Sequence, residues 1–152
     1  MSTVYLLIYC EWLDSRLVRK SLPDARLHGK ATLKDYRVAF SSFSEDGSEE
    51  LQYGGCHLAA APGETLHGVL WEITDEELAK LDKLTRVEHG RYVKKHVSVV
   101  DETGKPCAAV AHSIKNPKGA SRPTKDYMDH MIAGAREHGF PPAYIEMLEA
   151  LR

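Results

Sequence analysis

Three residues have chemically reactive side chains and lie at or beside predicted strands: Cys10, Glu11 and His112. Cys10 and Glu11 directly follow the apolar run Val4–Tyr9, which predicts a strand buried on both faces. A glutamate can serve as a general acid or base, and a cysteine partnered by a histidine can be a nucleophile or a metal ligand. Each residue also has an inert interpretation: a solvated carboxylate, a small buried thiol or a hydrogen-bonded core histidine.

Strand alternation limits how these side chains can combine. His112 shares a strand face with Val110 and Ile114, so the pattern predicts that its ring points inward. The same alternation argues against Cys10 and Glu11 both facing one cavity, because adjacent strand residues point to opposite sides. No pair of histidines has the helical spacing of a metal site, so we expect no metal and no cofactor. A mixed site built by Cys10, Glu11 and His112 is the metal-binding alternative.

The elements that must position these residues follow from hydrophobic periodicity. Beyond Val4–Tyr9, alternation predicts strands at Leu33–Phe40, Thr65–Ile73, Tyr92–Val100 and Pro106–Ile114. The last two strands are joined by a turn at Asp101–Gly104, and the polar stretch Ser41–Glu50 is typical of a surface loop. A core dominated by strands, with helices inserted between them, indicates the α+β class.

Helices are predicted at four places. A short helix carries Leu13, Leu17 and Val18 and ends before Pro23. Thr74 and Glu77 form a capping box at the start of the next helix, whose core stripe is predicted to be Leu78, Leu81 and Leu84. Two C-terminal helices follow. The first buries Met128, Met131, Ile132 and Ala135 and stops at Gly139, and the second begins at Pro141-Pro142 and carries Tyr144, Met147, Leu148 and Leu151.

Length and charge exclude several classes of protein. The 152 residues fit one domain spanning 1–152, and the net charge of −2 argues against binding nucleic acid or an acidic membrane surface. Three cysteines without paired spacing predict neither a disulfide nor structural zinc, and so a reducing, cytoplasmic location. The apolar run near the start is too short for a signal segment or a membrane span.

The order and spacing of several short motifs resemble the γ-glutamylcyclotransferase-like family, also called the AIG2-like family, over almost the whole chain. The motifs are Gly68–Trp71, Leu81-Asp82, Gly90–Tyr92, Pro123-Thr124 with Tyr127, and Gly134–Pro141. The resemblance implies a small mixed β-barrel wrapped by helices, with a pocket at one end. Active members of the family cyclise a γ-glutamyl group to 5-oxoproline and release an amine. The resemblance therefore implies a small-molecule ligand of γ-glutamyl or amino-acid type, and a homodimer.

The residues at the implied pocket depart from the family pattern. The substrate loop, Tyr-Gly-Ser-Asn in the family, falls on Tyr9, Cys10, Glu11 and Trp12. The family's catalytic glutamate falls on Thr85 and one pocket tyrosine falls on His112, whereas Tyr92 and Tyr127 match. Threonine cannot serve as a general base near neutral pH, and a side chain in place of glycine restricts the backbone.

These departures leave three functional hypotheses. The first is a γ-glutamylcyclotransferase-like enzyme with a rebuilt site, in which Glu11 replaces the carboxylate missing at Thr85, or Glu88 does so through a shifted loop register. The second is a non-catalytic module that binds a small ligand on the same fold. The third is divergent chemistry by Cys10 and His112, with or without a metal. We favour the enzyme.

Overall fold

A computed structural model describes residues 2–41, 55–84, 92–115 and 122–152 of the chain. Within them, five strands form a closed barrel in the order β1–β3–β2–β4–β5. The strands are β1 (Thr3–Ile8), β2 (Arg26–Ser41), β3 (Gly55–Thr74), β4 (Tyr92–Asp101) and β5 (Pro106–Ile114). The helices are α1 (Ser15–Ser21), α2 (Asp75–Leu84), α3 (Lys125–Glu137) and α4 (Pro142–Leu151), and a single 3₁₀ turn covers Glu11–Leu13. The predicted α+β barrel with surrounding helices is confirmed.

Strand pairing places the end of β1 beside two other strands. β1 runs antiparallel to β3 from Thr3 against Thr74 to Ile8 against Val69. It meets β5 in parallel at Leu6 and Val110, and this contact closes the barrel. Neither ladder extends past Ile8, so the chain leaves the barrel wall directly before the loop that carries Cys10 and Glu11.

Local sequence signals account for the starts of two helices. The Glu77 carboxylate accepts a hydrogen bond from the Thr74 backbone N–H and the Thr74 hydroxyl accepts one from the Glu77 N–H, each at 3.1 Å, which confirms the capping box of α2. The Thr124 hydroxyl accepts from the Tyr127 N–H at 3.2 Å and so fixes the first turn of α3. None of the described helices is long and apolar enough to cross a membrane.

Burial corrects part of the predicted core. Met128 and Met131 of α3 are fully buried, as predicted, and Trp71 of β3 is too. Leu84, predicted as core, is 55% exposed because it occupies the last turn of α2, beyond the helix's contact with the barrel. In α4, Leu148 is buried whereas Met147 and Leu151 are exposed.

Strands β2 and β3 are both longer than predicted. In β3, the pairing shifts register opposite Lys34 and Tyr36, between Ala60 and Thr65, which interrupts the alternation before the predicted start at Thr65. Ser41, predicted to open a loop, ends β2. The rest of that predicted loop, 42–50, lies outside the described residues.

Helix α3 packs directly on the backbone of the 3₁₀ turn at Gly134. A Cβ at residue 134 would overlap with the carbonyl group of Leu13 and the nitrogen of Asp14. Both neighbours are backbone atoms, which cannot move aside as the end of a side chain can. The turn that carries Glu11 therefore depends on a residue without a side chain in α3.

The variant Gly134→Ala tests this contact. Helix propensity alone would make alanine more stable than glycine by about 1 kcal/mol. We expect the opposite, a loss of about 3 kcal/mol in the free energy of unfolding, because the added carbon overlaps with backbone. Chemical denaturation measures the difference, and Ala133→Gly on the exposed face of α3 reports the propensity effect alone. A Gly134→Ala protein as stable as the wild type would contradict the packing argument.

Candidate functional site

The site is centred on Glu11, the first residue of the 3₁₀ turn that follows β1. The turn is closed by two backbone hydrogen bonds, from the Leu13 N–H to the Cys10 carbonyl at 2.9 Å and from the Asp14 N–H to the Glu11 carbonyl at 3.2 Å. By turning sharply here, the chain escapes the alternation of a strand. The strand alternation on which the expectation for Cys10 and Glu11 rests therefore does not apply at Glu11.

Three tyrosines form the wall next to Glu11, and we call Tyr9, Tyr92 and Tyr127 the tyrosine cluster. Tyr9 directly follows β1, Tyr92 begins β4 and Tyr127 lies in the first turn of α3. Tyr9 is 3% exposed, and its hydroxyl donates to the His112 carbonyl at 2.6 Å. The Tyr127 ring also meets Phe40 edge-on, with 5.9 Å between ring centroids.

Electrostatics link the tyrosine cluster to Glu11. Burial, and then the negative charge of Glu11, raises the pKa of Tyr92 to about 12. Burial also raises the pKa of Tyr127 well above its usual value, with Tyr92 and Glu11 adding to the shift, while a backbone hydrogen bond with Glu11 opposes it. The tyrosines are therefore neutral hydrogen-bonding groups at neutral pH. The sequence predicted Tyr9, Glu11, Tyr92 and Tyr127 for one pocket, and the structure brings these four residues together.

The Glu11 carboxyl has the electrostatic character of an acid–base group. Burial raises its pKa above that of an ordinary glutamate, and the neighbouring Asp14 charge raises it further, while His130 opposes the shift. A carboxyl with a raised pKa can both accept and return a proton near neutral pH. Among the sequence-predicted residues that the structure describes, Glu11 is the one best suited to this role.

A polar network from α3 anchors the turn on one side. Asp14 is 2% exposed; its carboxylate accepts from the Arg16 side chain at 2.7 and 3.0 Å and contacts His130 Nδ1 at 2.8 Å. The Ser15 hydroxyl donates to the Glu137 carboxylate, and His138 Nε2 lies 3.2 Å from the Leu13 carbonyl. Together with the packing of Gly134, these contacts fix residues 13–15 against α3.

Cys10 departs from the prediction, because it forms a disulfide with Cys56 of β3, with the two Cα atoms 6.8 Å apart. The expectation of a chain without disulfides is wrong. The two cysteines are 46 residues apart and share no motif, and barrel closure alone brings them together. The disulfide also removes the argument from unpaired cysteines for a reducing compartment. Cys107 is the one free thiol among the described residues.

The His112 ring is largely shielded from solvent, but it lies against Asp82 of α2 and not with the residues expected. Its ring is 8% exposed, and its Nε2 lies 2.9 Å from Asp82 Oδ1 of α2. Lys94 donates to the other Asp82 oxygen at 2.9 Å. Burial lowers the pKa of His112, and the Asp82 carboxylate opposes that shift. The expected pairing of His112 with a free Cys10 thiol is therefore not formed.

Other predicted site residues have varied outcomes. Trp12 is partly buried and packs against the main core. Thr85 and Glu88 lie outside the described residues, so their proposed roles remain predictions. Within the described ranges, no group of three His, Cys, Asp or Glu side chains is arranged to hold a metal ion.

Sequence reasoning missed the groups that support the site. Asp14 carries a recognisable signal, because aspartate is a favoured N-cap residue, and its carboxylate does accept from the Arg16 N–H at 3.1 Å. The predicted helix includes Leu13, which hides this cap, whereas α1 begins at Ser15. His130 gave no comparable signal, since its partner is 116 residues away. Asp82 belongs to the Leu81-Asp82 motif, which gives no signal of its partners His112 and Lys94.

Comparison with known proteins gives a consistent result. A sequence model described as the AIG2-like family matches residues 65–148, more than half of the chain. The chain is 28% identical over 129 residues to a γ-glutamylcyclotransferase from Bos taurus, covering 85% of this chain and 68% of that protein. It is 29% identical over 121 residues to the Mus musculus protein of the same name, covering 80% of this chain and 64% of that one. The chain thus spans about two thirds of the length of these relatives.

A solved structure described as a γ-glutamyl cyclotransferase superposes with a TM-score of 0.90 at 25% identity. The match covers 99% of this chain and 89% of that one. It includes the barrel and every described helix, because so little of this chain lies outside it.

The variant Asp14→Asn tests the anchor of the turn. Arg16 and then His130 hold the pKa of Asp14 well below its usual range, so its stabilising contribution is present above the unfolded-state pKa of about 4 and is lost as the pH falls through the depressed folded value. We expect a loss of about 1.5–3 kcal/mol at pH 7 relative to the wild type. The difference in the free energy of unfolding between the wild type and Asp14→Asn, measured by urea unfolding, should become smaller below about pH 4. The exposed-site variant Asp24→Asn is the control, and a pH-independent difference would contradict the interpretation.

Proposed function

The chain belongs to the AIG2-like, γ-glutamylcyclotransferase-like family, and we propose that it is an enzyme that cyclises a γ-glutamyl or related amide and releases an amine. The observation that carries this proposal is the Glu11 carboxyl beside the tyrosine cluster, with its pKa raised by burial. Glu11 would supply the carboxylate that is absent at Thr85.

The reaction needs a group that first accepts a proton from the attacking nitrogen and then donates a proton to the leaving nitrogen. The substrate's α-amino nitrogen attacks its own γ-carbonyl carbon, forming the new C–N bond of a five-membered lactam. The α-ammonium nitrogen loses two protons on becoming the lactam N–H, and Glu11 accepts the first of them, which frees the lone pair for attack. The protonated Glu11 then donates this proton to the leaving nitrogen as the original amide C–N bond breaks. The second proton passes to the released amine, which leaves as an ammonium, so the carboxylate returns to its starting state. A γ-glutamyl donor yields 5-oxoproline and a free amine.

The neutral tyrosine cluster suits the polar parts of such a substrate. Because burial keeps the pKa of Tyr92 and Tyr127 high, both phenols stay protonated and can donate hydrogen bonds to a developing oxyanion. The Glu11 charge attracts an ammonium group and repels a carboxylate. An amide without an α-carboxylate is therefore a substrate to test beside the γ-glutamyl amides.

The proposal predicts amine release by the purified protein. The substrate panel consists of several γ-glutamyl amides, 4-aminobutanamide as the amide without an α-carboxylate, and a no-protein control. We expect release of amine and lactam by the wild type, and a loss of about 10²–10⁴-fold in Glu11→Gln. Glu64→Gln, at an exposed glutamate of β3, is the matched control and should keep full activity. No release above background across the panel would refute the enzyme.

A pH profile tests the role of Glu11 independently. The base form is needed to accept the ammonium proton, so kcat/KM should fall as the pH drops through the pKa of Glu11. Because burial raises that pKa, the acid limb should lie above the range of an ordinary glutamate. We expect Glu11→Gln to lose this limb. A profile with the same limb in Glu11→Gln would assign the titration to another group.

The absence of an acid–base residue at Thr85 favours a second candidate function, a binding module that keeps the fold and the pocket. Thermal-shift measurements with the same amides separate the two candidates. Stabilisation by an amide that the protein does not convert would support the binding module. Turnover of any panel member would exclude it.

A further inference from the structure

We propose that the Cys10–Cys56 disulfide is a thiol–disulfide exchange site whose redox state sets the position of Glu11. The effect on amine release rests on the proposed function. The exchange reaction and the restraint on the turn do not rest on it.

The position of Cys10 gives the disulfide direct leverage on Glu11. Cys10 is covalently adjacent to Glu11, and its carbonyl closes the 3₁₀ turn by accepting from the Leu13 N–H. The ladder between β1 and β3 ends at Ile8, so sheet hydrogen bonds do not hold Tyr9 or Cys10. The Tyr9 side chain still reaches the barrel wall, through its hydrogen bond to the His112 carbonyl. A bond at the Cys10 sulfur therefore adds a covalent restraint where the backbone ladder has ended.

The other half of the disulfide lies next to the tyrosine cluster. Cys56 is the second residue of β3 and pairs with Phe40 of β2. Phe40 in turn contacts the ring of Tyr127. The disulfide thus fastens the Glu11 turn to the β2–β3 hairpin, beside the residues that form the wall of the candidate site.

The turn has two anchors of different kinds. On the α3 side, Asp14 and Ser15 are held by His130 and Glu137, and these contacts do not depend on the redox state. On the other side, the disulfide is the covalent anchor, and it acts beside the hydrogen bonds of Tyr9 to the His112 carbonyl and of the Glu11 backbone to Tyr127. Breaking the disulfide would leave residues 13–15 in place and remove the covalent restraint from the end of the turn that carries Glu11.

Reduction follows ordinary thiol chemistry and balances with a dithiol as reductant. Cys10 is partly buried whereas Cys56 is only 5% exposed, so the attacking thiolate reaches the Cys10 sulfur more easily. Attack forms a mixed disulfide at Cys10 and expels the Cys56 thiolate, which takes up a proton. The second thiol of the reductant then closes its own disulfide and frees Cys10. Two electrons and two protons pass to the protein.

The test compares oxidised wild type, wild type reduced with dithiothreitol, and Cys56→Ser. Cys107→Ser, which removes the free thiol of β5, is the control. Differential alkylation with mass spectrometry identifies the paired cysteines, and hydrogen exchange at the Leu13 and Asp14 amides reports on the turn. The reduced wild type needs no substitution, so it decides the matter even where Cys56→Ser does not fold.

We expect Cys10 and Cys56 to resist alkylation until reduction, while Cys107 reacts beforehand. Reduction and Cys56→Ser should each accelerate exchange at the two turn amides by at least about tenfold, lower the melting temperature by about 5–15 °C and reduce amine release. Reoxidation should restore all three. Cys107→Ser should behave as the wild type.

Two results would overturn the proposal. One is alkylation of Cys10 and Cys56 in protein kept under oxidising conditions. The other is a rate of hydrogen exchange at the Leu13 and Asp14 amides that reduction leaves unchanged. In an active enzyme, amine release that is indifferent to reduction would overturn the control of Glu11. An oxidised wild type that releases no amine would refute the proposed function, while the exchange measurements would still decide the redox site.

Discussion

The contact between helix α3 and the backbone of Leu13 and Asp14 is the constraint on which the site depends. It exists because Gly134 has no side chain, so the two segments of backbone can approach more closely than a Cβ would allow. This approach brings His130 and Glu137 within reach of Asp14 and Ser15. The turn that presents Glu11 is therefore positioned from the far end of the sequence, by a helix more than 110 residues away.

Much of the fold could be predicted because its signals are local. The capping box of α2, the turn between β4 and β5 and the buried methionines of α3 each depend on residues a few positions apart. Leu84 shows where periodicity fails, since a stripe of leucines does not tell where a helix passes beyond the core it covers. The first half of strand β3 was not predicted, because a bulge in the β2–β3 ladder interrupts the alternation on which strand prediction relies.

For the candidate site, the sequence indicated which residues lie together better than it indicated what each of them contacts. Tyr9, Glu11, Tyr92 and Tyr127 come together as the family resemblance implied. The partners of Cys10 and His112 could not be predicted from the sequence. Cys56 and Asp82 are distant from them in the chain and share no motif with them. The alternation rule for strands does not apply at Glu11, where a 3₁₀ turn replaces the strand geometry that the rule assumes. The homodimer and the cytoplasmic location remain predictions.

The way the barrel closes bears on how the chain folds as it is made. β1 is the first described strand to leave the ribosome, yet its antiparallel partner β3 and its parallel partner β5 come later in the chain. At roughly 5–20 residues per second, β1 waits on the order of ten seconds for β5 to be synthesised. During that interval its apolar residues Leu6, Leu7 and Ile8, all buried in the finished barrel, have no completed core to enter. Nascent β1 is thus an apolar segment that a chaperone binding short apolar stretches would shield.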